Sequence, residues 1–274
     1  MSDTSAPAFT MGPAILFCPA DRPERYAKAS ARADAVIIDL EDAVAPTDKP
    51  AARRSVVDTP LDPGRTIVRV NPVDTEDFAE DLAAVGETAY STVMLAKTET
   101  VEQLRQLADY RVIALCETAL GVLNAPAIAA EPNVVALMWG AEDLVASLGG
   151  TSSRHDDGSY RDVAVHARAA VLLAAGAYGK AGIDSVYINI PDTEGLAAET
   201  RDAVASGFAA KASIHPAQMT VIRAAYAPDP EAVQRARAIL EAARTASGVF
   251  SFEGQMVDEP LLRHARRLVA RIDG

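Results

Sequence analysis

Arg111-Val-Ile-Ala-Leu-Cys-Glu117 and Val134-Val-Ala-Leu-Met-Trp-Gly-Ala-Glu-Asp143 are the two stretches that decide the fold, because each is an apolar run that ends in a carboxylate. Short β-branched runs bounded by turn residues are typical of buried parallel strands. In a chain that alternates strands with helices, side chains at the carboxyl ends of such strands line one common mouth. Glu117 and Asp143 are therefore expected to share that mouth.

The rest of the chain repeats the pattern of a strand followed by an amphipathic helix. Eight strand-like runs can be counted: Ala14–Cys18, Ala35–Leu40, Thr66–Asn71, Thr92–Lys97, Val112–Glu117, Val134–Trp139, Ser185–Ile190 and Lys211–Ile214. Parallel strands need crossover helices, and eight of them close a sheet, so the pattern predicts an α/β fold of the (β/α)8 TIM-barrel type. The alternative is an open, doubly wound sheet. Its dinucleotide-binding version is disfavoured because no Gly-x-Gly-x-x-Gly follows the first strand.

Three segments are expected to differ from the barrel. Residues 1–12 are predicted to be a flexible N-terminus, ahead of a barrel over residues 13–227. Residues 228–274 are predicted to form a helical C-terminal extension that covers an active site, its own or a neighbour's. Residues 149–160 are polar and glycine-rich and follow the Asp143 strand, so they form either an active-site loop or a plain surface loop.

The composition limits the kind of partner. The net charge of −12 argues against nucleic acid or an anionic membrane. No stretch approaches the roughly 18 apolar residues of a membrane-spanning helix, and the N-terminus lacks the features of a signal peptide. A cytoplasmic protein is expected. In it Cys18 and Cys116, both inside predicted strands, should be buried reduced thiols rather than a disulfide or zinc ligands.

Glu117, Asp143 and Arg69 are the main candidate functional residues. Mg²⁺ takes one or two carboxylates from a protein and keeps positions for water and substrate oxygens. A metal held in this way can chelate a 2-oxo acid and polarise its carbonyl group. Arg69 points away from its two valine neighbours, and its guanidinium can bind a carboxylate or a developing enolate. Helix-capping acids and a structural salt bridge are the alternative roles.

Further polar residues follow the second and eighth predicted strands. Asp39, Glu41 and Asp42 are expected to orient the arginine or Lys97, to hold metal-bound water or simply to solvate a loop. For these three acids, a role in orienting other residues of the site is favoured over direct ligation of the metal. His215 precedes a proline, so a structural hydrogen bond is favoured over contact with substrate.

At this point the chain resembles the citrate lyase beta-subunit-like family, within the wider HpcH/HpaI aldolase group. The similarity runs from about residue 13 to Met256-Val-Asp-Glu-Pro260. The motifs that carry it are Phe17-Cys-Pro-Ala-Asp-Arg-Pro-Glu-Arg25, Ile38-Asp-Leu-Glu-Asp-Ala-Val44, Arg69-Val-Asn71, Glu117-Thr-Ala, Gly140-Ala-Glu-Asp143 and Gly207-Phe-Ala-Ala-Lys-Ala-Ser-Ile-His-Pro-Ala-Gln218. The motifs are specific in combination.

The resemblance implies a barrel that holds Mg²⁺ on Glu117 and Asp143 and binds substrate with Arg69. It also implies cleavage or formation of a carbon–carbon bond beside an acyl-CoA thioester. In members that act on free CoA thioesters, an aspartate of the C-terminal Val-Asp segment completes the site from an adjacent subunit. That position here is Asp258, which becomes the candidate catalytic base.

The expected function is that of a Mg²⁺-dependent lyase that cleaves a 3-hydroxyacyl-CoA to acetyl-CoA and an oxo acid, or runs the reverse condensation. Citramalyl-, malyl-, 3-hydroxy-3-methylglutaryl- and citryl-CoA are the candidate substrates. The alternatives are an aldolase for free 2-oxo acids and a citrate lyase subunit that acts on an acyl-carrier protein. Arg22, Arg25 and Lys28 follow the first strand at the mouth and are candidates for binding the CoA phosphates. A solvated helix face is the other interpretation of these three.

The tail also bears on assembly. Its apolar side chains are too numerous to leave in water: Phe250, Phe252, Met256, Val257, Leu261, Leu262 and Leu268. Closed homo-oligomers are the usual way to cover such surface. We therefore expect a homo-oligomer, a trimer by the resemblance, with Asp258 acting in trans. The alternative is a tail folded on its own barrel, with Asp258 as a helix N-cap.

Overall fold

The computed structural model describes residues 9–244, 246 and 248–273. The predicted flexible N-terminus falls mainly on residues 1–8, which lie outside the described residues. Eight parallel strands form a closed barrel in sequence order, and β1 pairs with β8. The strands are β1 (Ala14–Pro19), β2 (Ala35–Asp39), β3 (Thr66–Val70), β4 (Thr92–Leu95), β5 (Arg111–Cys116), β6 (Val134–Trp139), β7 (Ala181–Asp184) and β8 (Ala210–Ser213). The predicted (β/α)8 TIM barrel is confirmed.

At least one helix follows every barrel strand, and two helices follow β6. The helices that follow the barrel strands are α1 (Tyr26–Arg32), α2 (Lys49–Asp58), α3 (Glu76–Gly86), α4 (Val101–Arg105), α5 (Ala119–Ala130), α6 (Ala141–Ser147), α7 (Asp162–Ala177), α8 (Thr193–Ser206) and, after β8, α9 (Gln218–Tyr226). Local sequence sets several of their ends. The Thr118 hydroxyl accepts a hydrogen bond from the backbone at the start of α5, and Asp192 does the same for α8. Gly207 ends α8 in the left-handed conformation that favours glycine.

The barrel interior is an apolar core that continues into the mouth. Ile67 of β3 and Leu115 of β5 belong to this core and are fully or almost fully buried. Side chains two residues apart on a strand point to the same face. Arg69 and Glu117 therefore continue the inward-facing rows of Ile67 and Leu115, at the carboxyl ends of their strands.

The register of β5 against β6 brings two motifs together. Cys116 of β5 is aligned with Trp139 of β6. The next residue along each chain is Glu117 and Gly140, so these two leave their strands side by side. The core thus positions the first carboxylate against a residue that has no side chain.

The seventh strand was predicted at Ser185–Ile190, and that prediction is wrong. The strand is Ala181–Asp184, and the β-branched run after it is a loop in which Ile188 and Ile190 are 49% and 38% exposed. The observed strand is less apolar in sequence, because side chains packed against it leave space only for small residues. A Cβ atom at Gly182 would lie 2.8 Å from a methyl group of Leu172.

The chain divides into two compact units, Met1–Arg223 and Ala224–Gly274. The second unit contains α10 (Pro230–Ala243), a hairpin of β9 (Phe250–Phe252) and β10 (Gln255–Val257), and α11 (Glu259–Asp273). Ile239 of α10 packs with Val257 and Leu262 in a small core that also takes in Phe250 and Phe252. Much of the tail's apolar surface is therefore covered within its own unit, which weakens the argument from apolar surface for an oligomer. Met256 remains exposed.

Two simpler expectations can also be compared with the structure. Cys18 and Cys116 are both free and buried, as predicted. Within the described ranges, none of the helices has the length and apolar character needed to cross a membrane.

Candidate active site

A cavity of about 400 Å³ opens at the carboxyl ends of the barrel strands. Its lining combines charged and apolar side chains. The charged lining residues are Asp39, Asp42, Arg69, Glu117, Glu142 and Asp143, and the apolar ones include Phe17, Leu115, Met138, Val186 and Ile214. The structure thus brings together three predicted residues, Arg69, Glu117 and Asp143, around one space large enough for a small organic acid.

Glu117 is an almost fully buried acid of the cavity, with 2% of its surface exposed. Burial, followed by the negative charge of Asp143, raises the pKa of Glu117 to about 8, although Arg69 and Lys97 oppose the rise. The backbone N–H of Lys97 donates a hydrogen bond to Oε1 of Glu117 over 3.1 Å. An acid held beside a second acid with so little water is placed to exchange its proton for a cation.

Asp143 reaches the cavity from the first turn of α6, directly after the end of β6. Its carboxylate is more open than that of Glu117, with 36% of its side chain exposed. Oδ1 of Asp143 lies 3.7 Å from the Lys97 ammonium. The pair therefore combines one buried and one solvated carboxylate on neighbouring strand ends.

Arg69 is held in a fixed orientation by two acids. Nε and Nη2 donate to the two carboxylate oxygens of Asp39 at 2.7 and 2.6 Å, and Nη1 lies 3.0 Å from Oε2 of Glu41. The guanidinium carbon lies 4.9 Å from the ring centre of Phe17. Burial disfavours the charge, but Asp39 and Glu41 outweigh it and raise the pKa of Arg69, so the cation is permanent. Because the bidentate pair fixes the guanidinium plane, Arg69 offers its charge to the cavity without reorganisation.

Lys97 links the acidic cluster to the carboxylate pair. Its φ angle is 49°, a left-handed conformation that is uncommon for a residue with a side chain. The ammonium contacts the carboxylate of Glu41 and lies 3.3 Å from Asp42. Burial lowers the pKa of Lys97, but the hydrogen bond to Glu41 and nearby negative charges outweigh it and raise the pKa, so the lysine stays charged. The acidic cluster therefore orients Arg69 and Lys97, the supporting role favoured by the sequence.

The donor set at the mouth fits Mg²⁺. In the described part of the chain, no three His, Cys, Asp or Glu side chains converge to hold a metal. Glu117 and Asp143 could supply two hard oxygen ligands, a number that Mg²⁺ accepts while it keeps waters and substrate oxygens. A divalent cation between them would also relieve the repulsion that contributes to the raised pKa of Glu117.

Arg22, Arg25 and Lys28 follow β1 on the mouth side of the barrel and are exposed. Arg22 and Arg25 have 55% and 62% of their side chains exposed, and each lies within ion-pair distance of the acid that precedes it in sequence, Asp21 and Glu24 respectively. They do not line the cavity. A role for them in binding depends on a ligand that extends outside the cavity.

His215 and Asp258 both have local structural partners. Nδ1 of His215 accepts a hydrogen bond from the backbone N–H of Ala217 over 3.2 Å, the structural role favoured by the sequence. Oδ1 of Asp258 accepts one from the backbone N–H of Leu261 over 3.2 Å, so Asp258 caps α11 within the second unit. The helix N-cap was the alternative role predicted for Asp258. The contact does not test whether Asp258 is also catalytic.

A buried polar network behind the cavity was missed from the sequence. The fully buried Lys211 ammonium donates to Oδ2 of Asp184 at 2.8 Å, to the backbone oxygen of Ser185 at 2.7 Å and to Oε1 of Glu199 at 3.0 Å. The Trp139 indole donates to Oδ1 of Asp184 at 2.8 Å. Because Ser185 lines the cavity, this network fixes that wall. A lysine inside an otherwise small-residue strand was the available signal.

The polar loop over residues 149–160 is anchored to the same region. The Ser153 hydroxyl donates to Glu142, a cavity residue, over 2.6 Å. Nη2 of Arg154 donates to Oε2 of Glu199 over 2.7 Å. The loop is therefore fixed beside the cavity at two points by specific contacts.

The chain is similar to known proteins over most of its length. The family described as HpcH/HpaI aldolase/citrate lyase matches residues 14–216. The chain is 56% identical over 260 residues to the citrate lyase subunit beta-like protein of Mycobacterium tuberculosis, which covers 95% of each chain. It is 32% identical over 290 residues to human mitochondrial citramalyl-CoA lyase, covering 93% of this chain and 84% of the relative. The crystal structure of protein CitE from M. tuberculosis in complex with magnesium, acetoacetate and coenzyme A has a TM-score of 0.93 at 55% identity, covering 96% of this chain and 99% of that one.

The family match spans the barrel from the first residue of β1 to just beyond β8. It includes Arg69, Glu117 and Asp143, whereas Asp258 lies beyond it. The resemblance indicated by the sequence motifs is confirmed: the chain belongs to the HpcH/HpaI aldolase/citrate lyase family and is a carbon–carbon lyase of that family.

Proposed function

We propose that the protein is a Mg²⁺-dependent lyase that cleaves a 3-hydroxyacyl-CoA into acetyl-CoA and an oxo acid, or catalyses the reverse condensation. Substrates of the citramalyl-, malyl-, 3-hydroxy-3-methylglutaryl- or citryl-CoA type fit the proposal. The observation that carries it is the buried Arg69 in the same 400 Å³ cavity as Glu117 and Asp143. The magnesium, acetoacetate and coenzyme A bound by the M. tuberculosis relative support it.

Glu117 and Asp143 are the residues that would hold the metal. Bound there, Mg²⁺ supplies Lewis-acid polarisation of a carbonyl and neutralises the carboxylate of an oxo acid. Glu117 must lose its proton to take part, because its pKa of about 8 leaves it largely protonated at neutral pH without the cation. The Lys97 N–H then keeps the carboxylate turned toward the mouth.

In the cleavage direction, a base takes the proton of the 3-hydroxyl group, the C2–C3 bond breaks, and its electron pair moves onto C2 of the departing thioester. C3 becomes the carbonyl carbon of the oxo acid. Arg69 stabilises the negative charge that develops as the enolate forms, because its cation is already in place. Asp258 is the proposed base, which passes the hydroxyl proton to water. A proton from water then adds to C2 of the enolate and completes acetyl-CoA.

Assembly is part of the proposal, because Asp258 is assigned to the barrel mouth of a neighbouring subunit. The assembly is a homo-oligomer, a trimer by family resemblance, and the enzyme works in the cytoplasm. A subunit-exchange experiment tests it with Asp258→Ala and Glu117→Ala chains. Two inactive parents should regain partial activity once mixed oligomers form. Mixed oligomers that are demonstrated by mass spectrometry and stay inactive contradict action in trans.

The substrate class is tested by incubating the purified full chain with each of the four candidate acyl-CoAs and Mg²⁺ and measuring acetyl-CoA. We expect turnover with at least one thioester and its loss with EDTA. Cleavage of free 2-oxo acids alone favours the aldolase alternative. Turnover only of acyl-carrier-protein thioesters favours a citrate lyase subunit.

A further inference from the structure

Gly140 lies against the Glu117 carboxylate, where any side chain would intrude. A Cβ atom built on Gly140 would lie 2.7 Å from Oε2 and 2.9 Å from Cβ of Glu117. Contacts below about 3.0 Å are hardly seen for real Cβ atoms, because the packed interior has no space to absorb them. The absence of a side chain at position 140 therefore defines the space in which Glu117 sits.

The backbone itself does not require a glycine here. Gly140 has φ −125° and ψ 122°, ordinary extended values that any residue adopts. Its presence is explained by space and not by conformational freedom. This separates it from glycines such as Gly207, whose φ of 107° is left-handed.

The collision could not be relieved by turning the carboxylate alone. The contact with Oε2 involves the mobile end of the side chain, but Cβ of Glu117 is attached to the backbone that leaves β5. That backbone is aligned with β6, because Cys116 and Trp139 are register partners. A methyl group at position 140 must therefore shift the whole Glu117 side chain or separate the two strand ends.

The two oxygens of Glu117 have different neighbours. Oε1 accepts a hydrogen bond from the Lys97 N–H over 3.1 Å, whereas Oε2 is the oxygen nearest the space at Gly140. Displacement of the carboxylate away from Gly140 would also disturb the contact with Lys97. Small misplacements of a ligand are costly to metal binding, because coordination geometry is strict for Mg²⁺.

We infer that Gly140 is a positioning residue of the metal site: its missing side chain leaves the space that sets the orientation of the Glu117 carboxylate toward the cation. The inference rests on the proposed function, because Glu117 is taken to be a metal ligand. It adds a requirement on a residue that lines the cavity and contributes no side chain to it.

The test compares Mn²⁺ binding, measured from the electron paramagnetic resonance of the free ion, across variants of the full chain. Gly140→Ala should bind Mn²⁺ at least about tenfold more weakly than the wild type. Gly176→Ala is the matched control, because Gly176 is exposed on α7 and a Cβ there meets nothing within 4 Å. It should bind as the wild type does. Equal Mn²⁺ affinity of Gly140→Ala and wild type overturns the inference.

Thermal unfolding without metal supplies a second readout. Gly140→Ala should lower the Tm in the wild-type background and have a much smaller effect in a Glu117→Gly background, where both Oε2 and Cβ of the colliding side chain are gone. If Gly140→Ala fails to fold, the double variant should fold. Equal losses in both backgrounds, or a double variant that also fails to fold, contradict the inference.

The two readouts distinguish this inference from the proposed function. If the folded wild type binds no Mn²⁺, the metal assignment fails and the positioning role falls with it. If the wild type binds Mn²⁺ and Gly140→Ala binds it equally well, only the role of Gly140 is refuted.

Discussion

Metal binding should depend steeply on pH, because the cation must displace a proton from Glu117. Burial and the charge of Asp143 raise the pKa of Glu117 to about 8, so the metal-free protein holds this proton at neutral pH. The charged form is the one that binds Mg²⁺. Affinity should therefore rise with pH up to about 8 and then level off.

The size of the effect follows from proton competition. With a pKa of about 8, the fraction of metal-free protein with an ionised Glu117 is about one in eleven at pH 7 and about nine in ten at pH 9. The apparent Kd for Mg²⁺ should therefore fall about tenfold between these two pH values, with release of about 0.9 proton per ion at pH 7 and about 0.1 at pH 9. The thiols of Cys18 and Cys116 do not interfere, because burial raises their pKa values to about 11 and about 12.

Isothermal titration calorimetry in two buffers of different ionisation enthalpy measures both the affinity and the proton release. Infrared titration of the metal-free protein follows the carboxyl group directly, with Glu117→Gln to assign its band. In Asp143→Asn the pKa of Glu117 should fall only in part, because burial is the larger cause. An Mg²⁺ affinity that stays constant between pH 7 and 9, with no proton release, refutes the reasoning.

Three further predictions concern residues in other parts of the chain. Asp258→Asn should keep the cap of α11, unfold like the wild type and lose turnover. Asp258→Ala should lose turnover and also about 1 kcal/mol of stability in urea unfolding. Full activity of the Asn variant contradicts a catalytic role. Lys211→Met should lower the free energy of unfolding by about 1–3 kcal/mol, because the buried Asp184 loses its lysine but keeps its ion pair with Arg168. A loss of less than about 0.5 kcal/mol would show that the lysine contributes little. Arg22→Glu with Arg25→Glu should raise KM for the CoA thioester more than it lowers kcat, since both side chains are exposed and outside the cavity; an unchanged KM assigns them to a solvated surface.

The sequence was sufficient for the barrel and for three residues of its mouth. Hydrophobic runs marked seven of the eight strands. The two-residue periodicity placed Arg69 opposite its valine neighbours, and the position at the end of a strand placed Glu117 at the mouth. These predictions succeeded because core burial and position at the end of a strand can both be inferred from local sequence patterns. The prediction of the seventh strand failed because packing requires small residues there, as the close approach of Gly182 to Leu172 illustrates.

Interactions between distant segments could not be predicted in the same way. Lys211 and Asp184 are 27 residues apart, and only the closed barrel brings them together. The need for Gly140 is a need for space, and space depends on the register of two strands and not on either motif alone. The tail shows a further limit, because its apolar residues were counted without knowing that Val257 packs on Ile239.

The central claim, that Glu117 and Asp143 hold the metal of this lyase, is tested most directly by anomalous diffraction from crystals soaked in Mn²⁺. The account predicts one strong peak in the barrel mouth, about 2.0–2.2 Å from a carboxylate oxygen of each residue and absent in Glu117→Gln crystals. A peak bound elsewhere, or unchanged in Glu117→Gln, would contradict it.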